Sequence, residues 1–111
     1  PADDFKEVRI SLDSAVVKNK AATFYARVAG QSIVGAGLDD GALLVLDRSL
    51  EPTDGKIAVC FVDGEFTVKR LKVAEDCLWL MPENEQYKPL QVTKDNELMI
   101  WGIVTHVLKA V

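Results

Sequence analysis

The stretch that most constrains the fold is IAVCFVDGEFTVKRLKV, residues 57–73. After the pair Asp63-Gly64, apolar residues alternate with other residues, as they do in a β-strand with one buried face. Asp-Gly is also a favoured dipeptide for tight hairpin turns. The stretch therefore predicts two antiparallel strands that are joined at Asp63-Gly64.

Short apolar or alternating segments between turn signals such as EPTDGK (51–56) indicate further strands. No segment carries a convincing amphipathic helix, although short helical turns fit near 34–40 and 48–52. The predicted fold class is mostly β, as a folded β-sheet or small barrel with few short helical turns. Gly102 is a candidate position for a bulge or bend in the closing strand. The other expected strands are VRISLD (8–13), ATFYARVAG (22–30), LLVLD (43–47), LWLMP (78–82), the end of NEQYKPLQV (84–92) and ELMIWGIVTHVLKA (97–110).

The totals narrow the class of protein. A chain of 111 residues fits one domain, 1–111. Its 13 basic and 17 acidic residues give a net charge of −4 without a basic block, which argues against direct nucleic-acid binding. No apolar run approaches the roughly 20 residues that span a bilayer, so no membrane attachment is expected. Cys60 and Cys77 lack metal-ligand spacing and fit reduced thiols of a cytoplasmic protein.

The segment QSIVGAGLDDG (31–41) is a long connection between two predicted strands, and such loops often carry function. Its glycines do not match a nucleotide-binding loop, because no Gly-Lys-Ser/Thr follows them. Ser32 lies in GQSIVG, where the second glycine is one residue too far for the hydrolase elbow Gly-x-Ser-x-Gly. Ser32 is therefore either a turn residue that bonds nearby backbone or a nucleophile of another type.

A serine nucleophile needs a base, and the chain has two kinds of candidate. His106 is the only histidine, and a Ser-His-Asp triad with Asp39, Asp40 or Asp47 is conceivable. A lone histidine in a strand is more often a half-buried structural residue. One histidine with scattered carboxylates makes no metal-ligand set.

The other candidate is lysine, which becomes a base only where burial lowers its pKa. Lys69 lies among Phe66, Val68 and Leu71, whereas Lys72 lies nearer the end of the strand. Arg70 cannot act as a base because a guanidinium does not deprotonate in proteins. The pattern alone leaves two interpretations of Lys69, a base or a surface lysine whose stem lies along the sheet, and it favours the second.

Two longer stretches, GQSIVGAGLDDGALLVLDRSL (30–50) and GKIAVCFVDGEFTVKRL (55–71), resemble the self-cleaving serine peptidase domain of LexA, phage repressors and UmuD. The segments ATFYARVAG and WGIVTHVLKA are similar to the UmuD/MucA branch of that family, so the resemblance covers nearly the whole chain. It implies a LexA- and signal-peptidase-like β fold. It also implies that Ser32 is the nucleophile and that Lys69, 37 residues later, is its general base. Backbone N–H groups of Gln31 and Ser32 would then bind the oxyanion.

The resemblance also implies a role in the cell. The chain looks like the processed form, UmuD′, because PADDF stands where such a form would begin. Such a protein is an accessory subunit of an error-prone translesion polymerase in the SOS response. Its expected partners are a second copy of itself, a UmuC-type Y-family polymerase and the RecA filament that stimulates self-cleavage. No cofactor and no metal are implied.

The chain departs from the family pattern around the nucleophile, with Ile33 where methionine is usual and Gln31 where an acidic or small residue is common. Both changes preserve the nucleophile and the base, so they bear on substrate fit. The pair Ala29-Gly30 matches a scissile dipeptide of the family, but it abuts the turn of the nucleophile and is read as coincidence. The alternative function is the self-cleavage and dimerisation domain of a LexA-like or phage transcriptional repressor.

Overall fold

The computed structural model of the chain describes residues 16–28, 41–82 and 88–110. The predicted strand 8–13 and most of the connection 31–41 lie outside the described residues. The described residues form one short 3-10 helix, Lys20–Ala22, and seven strands. The strands are β1 (Thr23–Arg27), β2 (Leu43–Asp47), β3 (Ile57–Val62), β4 (Glu65–Ala74), β5 (Cys77–Met81), β6 (Leu90–Val92) and β7 (Leu98–Leu108).

All seven strands belong to one antiparallel sheet with the order β1-β2-β7-β3-β4-β5-β6. Among the described residues, β1 and β6 are the edges and do not pair with each other. The sheet is therefore open and is not a closed barrel. The prediction of a mostly β fold, as a folded sheet, is confirmed.

The hairpin between β3 and β4 has the predicted two-residue turn. Val62 pairs with Glu65, which leaves Asp63 and Gly64 as the turn residues. Their φ angles are 47° and 93°, in the left-handed region that glycine and aspartate tolerate best. The backbone conformation therefore explains why the sequence has Asp-Gly at this point.

Strand β7 bends where the sequence predicts it. Val59 pairs with Gly102 and Cys60 pairs with Ile100, so Trp101 is an extra, bulged residue beside Gly102. Arg48 supports this bulge, because its Nε donates a hydrogen bond of 2.7 Å to the carbonyl oxygen of Trp101. The guanidinium carbon of Arg48 also lies 4.8 Å from the centre of the Trp101 ring.

Buried side chains form two clusters, one on each face of the sheet. Adjacent residues of β3 contribute to different clusters, because successive strand residues point to opposite faces. The first cluster contains Val28, Ala42, Leu44, Leu46 and Val59. The second cluster contains Ala58, Cys60, Leu71, Leu80 and Ile103.

Candidate active site

Lys69 lies in the middle of β4, on the face of the second cluster. Its direct cross-strand partner is Ala58, a fully buried member of that cluster. The side chain of Lys69 is half-buried. Lys69 is therefore not fully exposed, and its position fits both a base and a surface lysine whose stem lies along the sheet.

The amine of Lys69 lies back along its own strand. Nζ donates a hydrogen bond of 2.6 Å to Oγ1 of Thr67, and it lies 3.5 Å from the carbonyl oxygen of Val68. Thr67 is two residues before Lys69, so both side chains are on the same face. Because Thr67 pairs with Cys60 across the strands, the amine lies close to the Cys60 side chain.

The surroundings of the amine favour its neutral form. Burial lowers the pKa of Lys69 below its ordinary value of 10.5, and a charge on Cys60 would act in the opposite direction. Burial also raises the pKa of the Cys60 thiol, from 9.0 to about 11. Cys60 therefore carries no charge at neutral pH, and its opposing effect on Lys69 disappears there.

The two neighbouring cations differ from Lys69. Arg70 is on the opposite face of β4, and its Nη1 donates a hydrogen bond of 2.8 Å to the carbonyl oxygen of Gly55. Lys72 is exposed, as its position near the end of the strand predicts. Lys69 is the cation that lies on the face of the second cluster, where burial lowers its pKa.

His106 lines a cavity of about 530 Å³, together with Asp47 and Ser49. Thr105 Oγ1 donates to the carbonyl oxygen of Val45, so it accepts a hydrogen bond from Nδ1 of His106 at 3.0 Å. The Asp47 carboxylate instead accepts hydrogen bonds from the backbone and hydroxyl of Ser49. The described residues therefore do not join His106 to Asp47 as a triad requires, and Asp39 and Asp40 lie outside them.

The sequence is similar to known proteins over almost its whole length. A family model for Peptidase S24-like proteins matches residues 1–105. Protein MucA of Salmonella typhimurium is 39% identical over 110 residues, which cover 97% of this chain and 74% of MucA. The chain belongs to the peptidase S24-like family.

Two further relatives of this peptidase S24-like chain are proteins with other names. Protein ImpA of Escherichia coli is 38% identical over 109 residues, which cover 97% of this chain and 73% of ImpA. The LexA repressor of Oleidesulfovibrio alaskensis is 38% identical over 91 residues, which cover 82% of this chain and 43% of the repressor. The predicted resemblance to the UmuD/MucA family and to LexA is thereby confirmed.

The described part of this peptidase S24-like chain contains one half of the predicted site. Lys69, the candidate base, is half-buried, whereas Ser32 and the candidate oxyanion residue Gln31 lie outside the described residues. The pairing of Ser32 with Lys69 stays a prediction. Cys60 and Cys77 are free thiols, as the sequence predicts. In residues 16–28, 41–82 and 88–110, no helix is long and apolar enough to cross a membrane.

Sequence reasoning missed Thr67 as a site residue. The signal was present, because Thr67 is two positions before Lys69 on a strand and must share its face. Its hydroxyl is the polar partner of the amine, which lets a half-buried lysine keep a hydrogen bond in either protonation state. The alternating pattern EFTVKRL therefore contains both the candidate base and its hydrogen-bond partner.

Proposed function

We propose that this chain is a UmuD-like protein of the SOS response that cleaves itself with a Ser32–Lys69 dyad. The observation that carries the proposal is the environment of Lys69, whose amine is half-buried against an apolar cluster and has a lowered pKa. A neutral amine can accept the proton of a serine hydroxyl, and Ser-Lys is a known variant of nucleophile and base. Membership of a peptidase family supports the same chemistry.

In the proposed reaction, the Lys69 amine takes the proton of Ser32 as Oγ attacks the scissile carbonyl carbon. The backbone N–H groups of Gln31 and Ser32 stabilise the negative charge that develops on the carbonyl oxygen. Lys69, now protonated, gives its proton to the leaving amine of the peptide bond, and water then hydrolyses the acyl-serine. Thr67 keeps the amine in place through this cycle, because its hydroxyl can accept from the ammonium and donate to the amine.

The proposed cellular role is that of the UmuD branch of the family. We infer a homodimeric, cytoplasmic accessory subunit that acts with a UmuC-type Y-family polymerase in translesion synthesis, after RecA-stimulated cleavage. MucA and ImpA match 97% of this chain and support this branch of the family. A net charge of −4 fits a subunit that reaches DNA through partners.

The alternative proposal is a LexA-like repressor domain, which the match to a LexA repressor favours. The sequence of the gene upstream of Pro1 distinguishes the two proposals. A short arm supports the UmuD-like role, and a helix-turn-helix domain supports the repressor.

The dyad is tested in the full-length gene product. Ser32→Ala and Lys69→Ala should each abolish self-cleavage, because one removes the nucleophile and the other the base. Lys72→Ala is the matched control and should cleave at the normal rate, since Lys72 is exposed on the same strand. Cleavage is followed on gels with purified RecA filaments. Cleavage by the Lys69→Ala variant at the rate of the natural protein would show that the base is another residue.

The pH dependence is a second test. The cleavage rate should rise with pH as Lys69 loses its proton and should level off below 10.5, because burial lowers the pKa of this lysine. Initial rates without RecA, between pH 6 and 10, measure the profile. A rate that does not change over this range would contradict a lysine base.

A further inference from the structure

Among the described residues, one polar side chain and one thiol lie close to the amine of Lys69. The side chain is Thr67, which accepts the hydrogen bond of 2.6 Å. The thiol belongs to Cys60, the cross-strand partner of Thr67. Directly opposite strand residues have Cβ atoms about 4.5–5.5 Å apart, so an amine that lies over Thr67 also lies beside Cys60.

Cys60 is buried on the same face of the sheet as this amine. Its relative exposure is 0%, and it packs in the second cluster with Ala58, Leu71, Leu80 and Ile103. Its sulfur is only a weak hydrogen-bond donor, and the contact that the structure gives it is a carbonyl oxygen, that of Ala58, at 3.8 Å. The residue therefore behaves here as a small apolar group.

We propose that Cys60 is a positioning residue for the reaction proposed above, because its side chain forms an apolar floor beneath the Lys69 amine and leaves Thr67 as the closest polar partner of the amine among the described residues. A neutral amine is favoured where neither water nor a stronger acceptor reaches it. The thiol stays uncharged at neutral pH, since burial raises its pKa to about 11. The proposal rests on the Ser32–Lys69 dyad for its role in cleavage, but the effect of Cys60 on Lys69 is independent of cleavage.

Within the described residues, few other charged side chains lie near this amine. On β3, the side chain that faces it beside Ala58 is Cys60, and Lys56 lies beyond Ala58 in an exposed position. On β5, pairing with β4 begins at Met81 opposite Arg70, so no charged residue of β5 lies across from Lys69. Cys60 is therefore a position at which a single substitution can change the polarity beneath the amine.

Two substitutions at Cys60 separate the effect of polarity beneath the amine from the effect of side-chain packing. Cys60→Val keeps the floor apolar, whereas Cys60→Ser is nearly isosteric but places a strong hydrogen-bond acceptor beneath the amine. Cys77→Ser is the matched control, because Cys77 is the other free thiol and pairs with Ala74, at the far end of β4. All three proteins can be compared in this chain without any cleavage reaction.

The measurement is an NMR titration of the Lys69 side chain, with the ¹³Cε shift recorded against pH. Cys60→Ser should raise the titration midpoint of Lys69, and Cys77→Ser should leave it unchanged. Cys60→Val should leave the midpoint unchanged or lower it, because it removes the thiol whose charge would favour the ammonium. In the full-length gene product, Cys60→Ser should then cleave about three- to tenfold more slowly at pH 7 and recover at alkaline pH. The reason is that the fraction of neutral amine at pH 7 falls tenfold for each pH unit by which the midpoint rises. Backbone spectra confirm that each variant is folded.

The outcomes separate this inference from the proposed function. An unchanged Lys69 midpoint in folded Cys60→Ser overturns the role of Cys60, whatever the cleavage rate. A raised midpoint with an unchanged cleavage profile supports the role of Cys60 beside the amine and contradicts Lys69 as the base. If Cys60→Ser does not fold, Cys60→Thr is compared with Cys60→Val, which has nearly the same shape. Equal Lys69 midpoints in these two variants overturn the inference, because only threonine places a hydroxyl beneath the amine.

Discussion

At the scale of single residues, the half-buried Lys69 lowers the stability of the folded chain. A half-buried amine loses part of its hydration in the folded chain and regains it on unfolding, which is why its pKa is lowered. Thr67 offsets only part of this cost, since one hydroxyl replaces several water molecules. The position is therefore better suited to proton transfer than to holding the sheet together.

The first prediction at this scale concerns Lys69→Met. At pH 7 this variant should have a free energy of unfolding about 1 kcal/mol higher than the natural chain, the usual size for a single stabilising substitution. The pKa of Lys69 is lower in the folded chain than its ordinary value of 10.5 in the unfolded chain. Between these two pKa values the unfolded chain binds more protons than the folded chain, so the stability of the natural chain rises with pH. The gain from Lys69→Met should therefore shrink between pH 7 and pH 10.

Urea denaturation of both proteins at the two pH values measures this difference. Cys60 is present in both proteins, and burial raises its pKa to about 11, so in the folded chain the thiol stays mostly protonated up to pH 10. Lys72→Met is the control and should change stability little, because Lys72 is exposed. If Lys69→Met is destabilising at pH 7, the lysine amine is better solvated than its burial indicates.

At the scale of elements, the tip of the β3–β4 hairpin is tied to the start of β7. The carboxylate of Asp63 accepts a hydrogen bond of 2.9 Å from the backbone N of Glu97 and one of 2.8 Å from Nδ2 of Asn96. The backbone N of Asp63 also donates to the carbonyl oxygen of Glu97. Asp63 therefore joins two elements that are distant in sequence, in addition to forming the turn.

The prediction for this element is that Asp63→Ala lowers the free energy of unfolding by about 1–2 kcal/mol, since it removes two hydrogen bonds and places alanine at positive φ. Asp63→Asn should cost clearly less, because asparagine tolerates that φ and keeps one acceptor oxygen. Chemical denaturation of both variants measures the difference. Equal losses for alanine and asparagine would mean that the charge of Asp63, and not the turn geometry, is what stabilises the tip.

Local elements such as this hairpin could be predicted from the sequence, and their spatial order could not. The strand 43–47 and the turn at Asp63-Gly64 follow from side-chain alternation and turn chemistry, which are local properties. The position of β7 between β2 and β3 depends on packing between residues far apart in the chain, and no local pattern specifies it. The burial of Lys69 needed the family resemblance for the same reason, because burial is a property of the whole sheet.

At the scale of the whole molecule, β7 joins two halves of the sheet. On one side lie β1 and β2, and on the other side lie β3 to β6. Ile103 is near the centre of this junction, since it pairs with Asp47 on one side and Ala58 on the other, and its relative exposure is 2%. The same row continues from Ala58 to Lys69, so the packing of β7 also supports the face on which the candidate base lies.

The last prediction is that the described sheet unfolds as one cooperative unit and that Ile103→Ala destabilises both halves equally. The chain has two tryptophans, Trp79 on β5 and Trp101 on β7, and Trp79→Phe and Trp101→Phe leave one reporter each. In each variant, tryptophan fluorescence and backbone circular dichroism should give the same urea midpoint, as a two-state domain requires. Ile103→Ala should lower the free energy of unfolding by about 2–4 kcal/mol at each reporter, because it leaves a cavity at the junction. Separate midpoints, or a loss seen only by Trp101, would mean that the β5 side folds independently of β7.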